Sequence, residues 1–286
     1  MRLTLPTNYF KLLKGRVLII TGVGRSGTSL LGKICGSFQR TVYLFEPAFM
    51  KYLMFNYDRR VLRAVLLEDY FLPIMQGRYR NENKEDQSWA GNYTSWAHIP
   101  RREDALAAIQ EQNPLFIIKT NEFQPLLDRV EDVFPKAKIL HIIRNGNDVV
   151  NSSLSRGWYT DLYLHTIQDW AQESRGVSVP WYLNIQDKAE FARSDQVTRC
   201  SIVWRSLSGY STYDTEGVKV VRYEDILSKP LDVVSELGDF LGRRKTDLTM
   251  QHVKALKPRK QYADITDKIA LQERRRFTAA MQRLGY

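Results

Sequence analysis

Between Val17 and Ile34 the chain reads VLIITGVGRSGTSLLGKI. An apolar run leads into Gly22-Val23-Gly24-Arg25-Ser26-Gly27-Thr28-Ser29, and Leu30, Leu31 and Ile34 then mark the apolar face of a helix. Glycines let a backbone turn tightly enough to aim successive N–H groups at one point. The start of a helix adds unpaired donors and a partial positive charge. The segment therefore predicts an anion cradle between a strand and a helix, with Arg25 as its cation and Ser26, Thr28 and Ser29 as hydroxyl donors.

Three chemistries use such a cradle. A nucleoside-triphosphate loop needs G-x-x-x-x-G-K-[ST]; Gly22 and Gly27 fit, but Thr28 stands where the lysine belongs, which argues against an ATPase or kinase. A dinucleotide site needs G-x-G-x-x-G with an acidic residue about 20 positions on. Gly22, Gly24 and Gly27 fit that pattern, and Glu46 lies 19 residues beyond Gly27. Sulfuryl transfer from a phosphosulfate anhydride needs N–H groups, hydroxyls and one cation near the bridging oxygen, which Arg25, Ser26, Gly27, Thr28 and Ser29 supply. It has less need of magnesium than phosphoryl transfer, and the first four apolar runs end in no aspartate suited to a metal. On this segment alone all three stay open.

A second constellation follows the apolar run Lys138–Ile143: Arg144-Asn145-Gly146-Asn147-Asp148-Val149-Val150-Asn151-Ser152. Arg144 falls at a strand's C-terminal end, and Asn147 or Asp148 is expected to cap the next helix. Ser152 falls in that helix's second turn. An arginine and a serine so placed suit a phosphate, the one by a bidentate charge-assisted contact and the other by a hydroxyl.

With both motifs in order, about 120 residues apart, the chain resembles the PAPS-dependent sulfotransferases, closest in motif to carbohydrate-type and bacterial members. PAPS is 3′-phosphoadenosine 5′-phosphosulfate. GRSGTSLLG matches the family's 5′-phosphosulfate loop, and RNGNDVVNS its 3′-phosphate motif R-N-P-x-D-x-x-x-S, with Gly146 where proline is usual. Trp204 followed by Val-Val-Arg-Tyr223-Glu224-Asp225 resembles a third segment, which implies Tyr223 near the adenine; helix capping is an equal reading of Glu224 and Asp225.

The resemblance implies a sulfotransferase moving a sulfuryl group from PAPS to a hydroxyl of a small-molecule acceptor, with PAP as product and no metal. Arg25 stands where many cytosolic members carry a lysine, implying stabilisation of the leaving group. Lys119-Thr120-Asn121 resembles a K-T-H segment, implying that Lys119 aids the sulfuryl oxygens. Asn121 replaces the histidine base. Leu44-Phe45-Glu46-Pro47 matches an L-F-E-P segment of carbohydrate-type members, which makes Glu46 the expected base, with Glu122 and His98 as alternatives. Arg259 and Lys260 are a basic loop able to reach the 3′-phosphate. Trp89, Tyr93 and Trp96 offer flat faces for a saccharide or glycosylated metabolite, or pack into the protein itself.

The elements that must position these residues are short apolar runs: Val17–Thr21, Thr41–Phe45, Leu115–Lys119, Lys138–Ile143 and Val218–Arg222. Such Val/Ile-rich runs separated by helical patterns predict an α/β, P-loop-like nucleotide-binding fold, a central parallel sheet of about five strands flanked by helices. One domain over 1–286 is expected. The strand rhythm pauses around 52–102, with a helical stretch at Arg59–Tyr70 and then a polar, aromatic segment expected to form an acceptor lid. Ile265–Leu284 predicts a basic amphipathic helix with Arg274, Arg275 and Arg276 on a solvated face.

Bulk properties agree. With 42 Lys and Arg against 32 Asp and Glu, the net charge of +10 favours an anionic partner. No nucleic-acid-binding signature accompanies it. Two cysteines, Cys35 and Cys200, exclude a disulfide framework and read as buried thiols of a reducing compartment. His141 reads as core. No signal-like or membrane-spanning run occurs, so a cytoplasmic protein is expected; a homo-oligomer is not indicated. A phosphate-loop kinase, a nicotinamide-dependent oxidoreductase and a non-catalytic polyanion binder are the competing readings.

Overall fold

The computed structural model describes residues 12–47, 50, 62, 71, 105–166, 171–174, 177–212, 217–258 and 262–286. Strand β1 (Val17–Gly22) is followed by α1 (Thr28–Gly36), β2 (Thr41–Phe45), α2 (Ala105–Gln112), β3 (Leu115–Lys119), α3 (Leu127–Val133) and β4 (Lys138–Ile143). Then come α4 (Gly146–Leu154), α5 (Asp161–Thr166), the strands β5 (Ala171–Ser174) and β6 (Val177–Pro180), α6 (Ile185–Arg193) and α7 (Gln196–Ser208). The chain closes with β7 (Val218–Arg222), α8 (Tyr223–Ser228), α9 (Pro230–Leu241), α10 (Asp247–Lys254) and α11 (Leu271–Arg283).

Five strands form one parallel sheet in the order β2-β3-β1-β4-β7, and β5 pairs with β6 as a separate antiparallel ribbon. The five expected runs are these five strands, with β1 one residue longer than its apolar run. Their continuous hydrophobicity has a structural cause. Successive side chains of a strand point to opposite faces, and here both faces are covered. Val17, Ile19, Phe116 and Ile118 enter one core cluster with Val130 and Phe134. Leu18, Ile20, Ile117 and Ile142 enter another with Leu31 and Ile34 of α1. A third cluster joins α4, α7 and α11 around Val150, Trp204 and Phe277.

The C-terminal half of the chain is tied together by charge. Asp187, 2% exposed, accepts from Arg205 Nη2 at 2.6 Å and from Ser206 Oγ at 2.8 Å, and Arg205 Nε also donates to buried Glu273 at 2.8 Å. Arg276 pairs with Asp187, Glu190 and Glu273. The expectation of a solvated basic face therefore fails at Arg276, because the neighbouring acids of α6 and α11 need a counter-charge. Arg274 does meet the more exposed Asp267. The helix itself is shorter than expected, since a 3₁₀ turn at Thr266–Lys268 precedes it.

Both cysteines are buried thiols. His141 is buried in β4. Of the region around 52–102 only Leu62 and Phe71 are described, both packed into the first core cluster. The expected lid with Trp89, Tyr93, Trp96 and His98, and the rest of the Arg59–Tyr70 stretch, lie outside the described residues, as do Arg259 and Lys260. Among the described residues no helix is long and apolar enough to cross a membrane.

Candidate active site

Every described candidate residue lies at the C-terminal ends of the sheet strands or on the helices that follow. In such sheets ligands bind there, at the point where the strand order reverses. Here that point flanks β1, whose neighbours β3 and β4 carry the next two loops of the site.

The loop after β1 turns at Gly27, which sits at φ 99° as the cap of α1. A Cβ at this position would meet the Tyr223 ring at 2.4 Å, so close approach as well as backbone angle requires glycine. Arg25 adopts φ 71°. Its Nε donates to Ser152 Oγ at 3.1 Å, and its guanidinium lies 5.7 Å from the centre of the Trp158 ring. Burial, then Arg156 and Arg144, holds the Arg25 pKa below its ordinary value.

Arg144 follows β4, is buried, and lies 4.2 Å above the Tyr223 ring. Its Nη1 donates to the Arg25 carbonyl at 3.0 Å and its Nη2 to Asp148 at 3.2 Å. The cap of α4 is Asn145, whose side-chain oxygen accepts from the N–H groups of Asn147 and Asp148. This corrects the expected cap at Asn147 or Asp148: the helix begins earlier, and Asp148 is drawn to Arg144 instead. Glu224 accepts from Asn145 N at 3.0 Å and from Tyr286 Oη at 3.0 Å, so it braces this turn from β7's side. Gly146 cannot carry a side chain there, since a Cβ would meet Trp204 and Phe277 at 2.8 Å each. Trp204 in turn donates from Nε1 to the Arg144 carbonyl at 3.1 Å.

Glu46 and Lys119 meet where β2 and β3 end side by side. Lys119 Nζ donates to Glu46 Oε1 as an ion pair, and the Glu46 backbone N–H donates to the Lys119 carbonyl at 2.8 Å. Lys119 is buried, and that burial lowers its pKa, against the opposing pull of Glu46. The Glu46 side chain is 37% exposed, so the carboxylate stays open on one side.

Sequence reasoning singles out Asn121 only as the replacement of a histidine base and assigns it no role of its own. Its Nδ2 donates to Glu46 Oε1 at 2.7 Å, and its Oδ1 accepts from Thr28 Oγ1 at 2.8 Å. One amide thus links the anion loop to the open carboxylate. Its place two residues after Lys119, at a strand end, is the signal that pointed there. Sequence reasoning misses an aromatic wall: Trp158 stacks on Tyr163 with centroids 6.1 Å apart, and Tyr159 packs edge-on to both.

The residues present fit a phosphorylated anion. Ser26 Oγ and Arg144 Nε are buried polar atoms without a hydrogen-bond partner among the described residues. Such donors carry a cost until something accepts from them. A cavity of about 630 Å³ adjoins the Asn145 turn, but Asp148 and Asp264 on its wall disfavour an anion. Among the described residues no group of three His, Cys, Asp or Glu side chains gathers as a metal site.

Fold and site together define a phosphate-loop α/β domain with a basic cradle at the C-terminal ends of its strands. The family is shown by comparison. The model of the sulfotransferase family matches residues 18–247, and the chain belongs to that family, enzymes that take a sulfuryl group from PAPS. The sulfotransferase domain of an olefin synthase from Synechococcus PCC 7002 is similar in fold, with 16% identity, 94% of each chain covered and a TM-score of 0.53. A sulfotransferase domain from the curacin biosynthetic pathway is similar at 16% identity, with 94% of this chain and 98% of that one covered and a TM-score of 0.50. A mouse sulfotransferase solved with PAP superposes at 12% identity, with coverage of 96% and 88% and a TM-score of 0.44. No curated protein sequence matches the chain.

Proposed function

We propose that Arg25, Ser26, Gly27, Thr28 and Ser29 hold the 5′-phosphosulfate of PAPS, that Arg144 and Ser152 hold its 3′-phosphate, and that Glu46 takes the proton from an acceptor hydroxyl. Bound PAPS supplies an activated sulfuryl group. The observation that carries the reading is the continuous chain Thr28–Asn121–Glu46–Lys119. It ties the cradle to a carboxylate with one open side, at a distance set by side chains and not by a mobile linker. General-base transfer requires that kind of fixed reach.

Arg25 supplies positive charge where the bridging oxygen leaves. Ser152 restrains its Nε and leaves the rest of the guanidinium for the ligand. Lys119 serves the sulfuryl oxygens, and its move away from Glu46 on donor binding frees the base. Tyr223 acts first through Arg144, whose guanidinium lies on its ring, and is also taken to border the adenine. Arg259 is assigned to the 3′-phosphate on its sequence resemblance.

The acceptor is proposed to be a small molecule presenting a sugar hydroxyl, a saccharide or glycosylated metabolite. Two features support this: the Leu44–Pro47 resemblance, and the Trp158 ring beside Arg25, stacked with Tyr163. The test has two stages. Calorimetric titration with PAP, with NADH and ATP–magnesium as controls, is expected to show metal-independent binding that requires the 3′-phosphate. Transfer of labelled sulfate from PAPS to a panel of sugar and phenol hydroxyls then reads the acceptor. Failure of PAP to bind overturns the donor site; transfer to phenols alone overturns the saccharide assignment.

A further inference from the structure

Helix α4 carries two rows of polar side chains, offset by one residue. Asp148 and Ser152 continue from Arg144 at four-residue steps and serve the loop after β1: Arg144 donates to the Arg25 carbonyl and to Asp148, and Ser152 accepts from Arg25. Asn147 and Asn151 form the second row, turned from the first by about 100° around the helix axis. The proposed mechanism gives this second row no part. Both amides nevertheless reach one atom of a distant segment: Asn147 Nδ2 and Asn151 Nδ2 donate to the Ala263 carbonyl at 3.0 and 2.9 Å. Asn147 Oδ1 in turn accepts from the Ile265 N–H at 2.9 Å. Asn151 Nδ2 also donates to the Asn147 carbonyl at 2.9 Å, which ties the two side chains to one another's turn.

Beyond Ala263 the chain is anchored a second time. Asp264 Oδ1 accepts from Thr266 N and Oγ1 at 2.9 and 2.6 Å, and the Ala270 N–H donates to Thr198 Oγ1 at 3.1 Å. Ile265 and Ile269 are buried in the core cluster around Val150 and Trp204. On the other side of Ala263 stands Tyr262. It lines the cavity beside the Asn145 turn together with Asn145, Asn147 and Asp148. Its phenol also stands close enough to Arg25 to act on that guanidinium's charge. Tyr262 therefore borders both the turn that follows Arg144 and the cation of the anion loop, at the residue next to the clasped carbonyl.

We propose that Asn147 and Asn151 are positioning residues: their amides clasp Ala263 and Ile265 to α4, and so place the Tyr262 phenol as a hydrogen-bond donor to the 3′-phosphate beside Arg144 and Ser152. The inference rests on the donor-site reading above. A phenol donates without adding charge, which suits a site where Arg25 already has Arg144 and Arg156 for neighbours. The rigidity of one helix links the two rows. Its first row fixes Arg144 and Ser152, its second fixes the residue beside Tyr262, and the three donors are set relative to one another before the nucleotide arrives. Such preorganisation lowers the ordering cost of binding.

Calorimetric titration of the full chain with PAP and with adenosine 5′-phosphate, which lacks the 3′-phosphate, tests the proposal. Alanine favours a helix interior, so Asn151→Ala removes the clasp and leaves α4 itself intact. The variant is expected to raise the Kd for PAP about fivefold and that for adenosine 5′-phosphate by less than about twofold. Tyr262→Phe is expected to show the same selective loss, and adding Asn151→Ala to it to cost less than about twofold more, because the amide acts through the phenol. No loss, an equal loss for both nucleotides, or full additivity of the two substitutions overturns the proposal. Should Asn151→Ala fail to fold, hydrogen exchange in the parent protein decides: the Ile265 N–H is expected to exchange at least about fivefold more slowly with PAP bound than with adenosine 5′-phosphate bound, and equal rates overturn the coupling. A parent protein that binds no PAP overturns the donor site and this inference with it; retained PAP binding with any of the other failures overturns the clasp alone.

Discussion

Arg25 and Ser152 stand 127 positions apart in the chain and meet through a hydrogen bond of 3.1 Å from Nε to Oγ. The contact joins the loop after β1 to the second turn of α4, and so makes one anion site of two sequence motifs. It also fixes the guanidinium before any ligand arrives, which lowers the ordering cost of binding. Ser152→Ala is expected to raise the Kd for PAP about fivefold, in line with a net hydrogen-bond contribution of about 1 kcal/mol. Calorimetric titration of the variant checks this; unchanged affinity would mean that Ser152 neither touches the phosphate nor steers Arg25.

Glu46→Gln separates binding from chemistry. The amide keeps the side chain's size and can still accept from Asn121, but it takes no proton. PAP affinity is expected to stay within about threefold, while turnover falls by at least about a hundredfold, the usual contribution of a positioned base. Turnover at the parent rate would move the base elsewhere on the same loops.

Asn121→Ala removes the link between Thr28 and Glu46. Its expected signature is a loss in kcat of about tenfold with the KM for PAPS little changed, because the amide aims a carboxylate and does not hold the donor. Steady-state kinetics with PAPS varied at saturating acceptor read the split. A rise in KM alone would assign Asn121 to donor binding.

Asp187 stands apart from this chemistry. It is 2% exposed and pairs with Arg205 and Arg276. Asp187→Ala leaves those cations without their buried partner, a change expected to cost about 3–5 kcal/mol. Urea denaturation followed by circular dichroism should show the lower midpoint, with PAP affinity of the folded variant retained.

His141 gives the fold a pH dependence of definite sign. Burial lowers its pKa from 6.5 to about 4. The unfolded chain therefore binds the proton first as pH falls, so stability is full above about 6.5 and is lost progressively down to about 4. The loss amounts to about 3 kcal/mol at most on this shift. Urea midpoints between pH 7 and 4 in the parent and in His141→Gln check this, the variant being expected to lack that part of the slope.

The elements were legible from sequence because each has a local cause. Both faces of the sheet are covered, so its strands read as unbroken apolar runs, and Gly22, Gly24 and Gly27 mark the turn after β1. The cap of α4 lies two or three positions before the one the sequence suggests, since Asn145, Asn147 and Asp148 are all capable caps and only the competing bond from Arg144 to Asp148 decides among them. Helical periodicity puts Arg276 in solvent because it does not show that Asp187 and Glu190 stand opposite it.

By itself, then, the sequence determined the parallel sheet, the anion loop and the second basic motif, because short-range sterics, burial and helix-start chemistry are written in neighbouring residues. Only the tertiary structure decided which groups meet: Asn121 between Thr28 and Glu46, Ser152 on Arg25, Glu224 behind Asn145, and Lys119 on Glu46 while Glu122 faces two tyrosines. Those pairings depend on strand order and register, which bring residues distant in sequence to one sheet edge. The charge on each group at that edge follows from whichever neighbour the fold supplies.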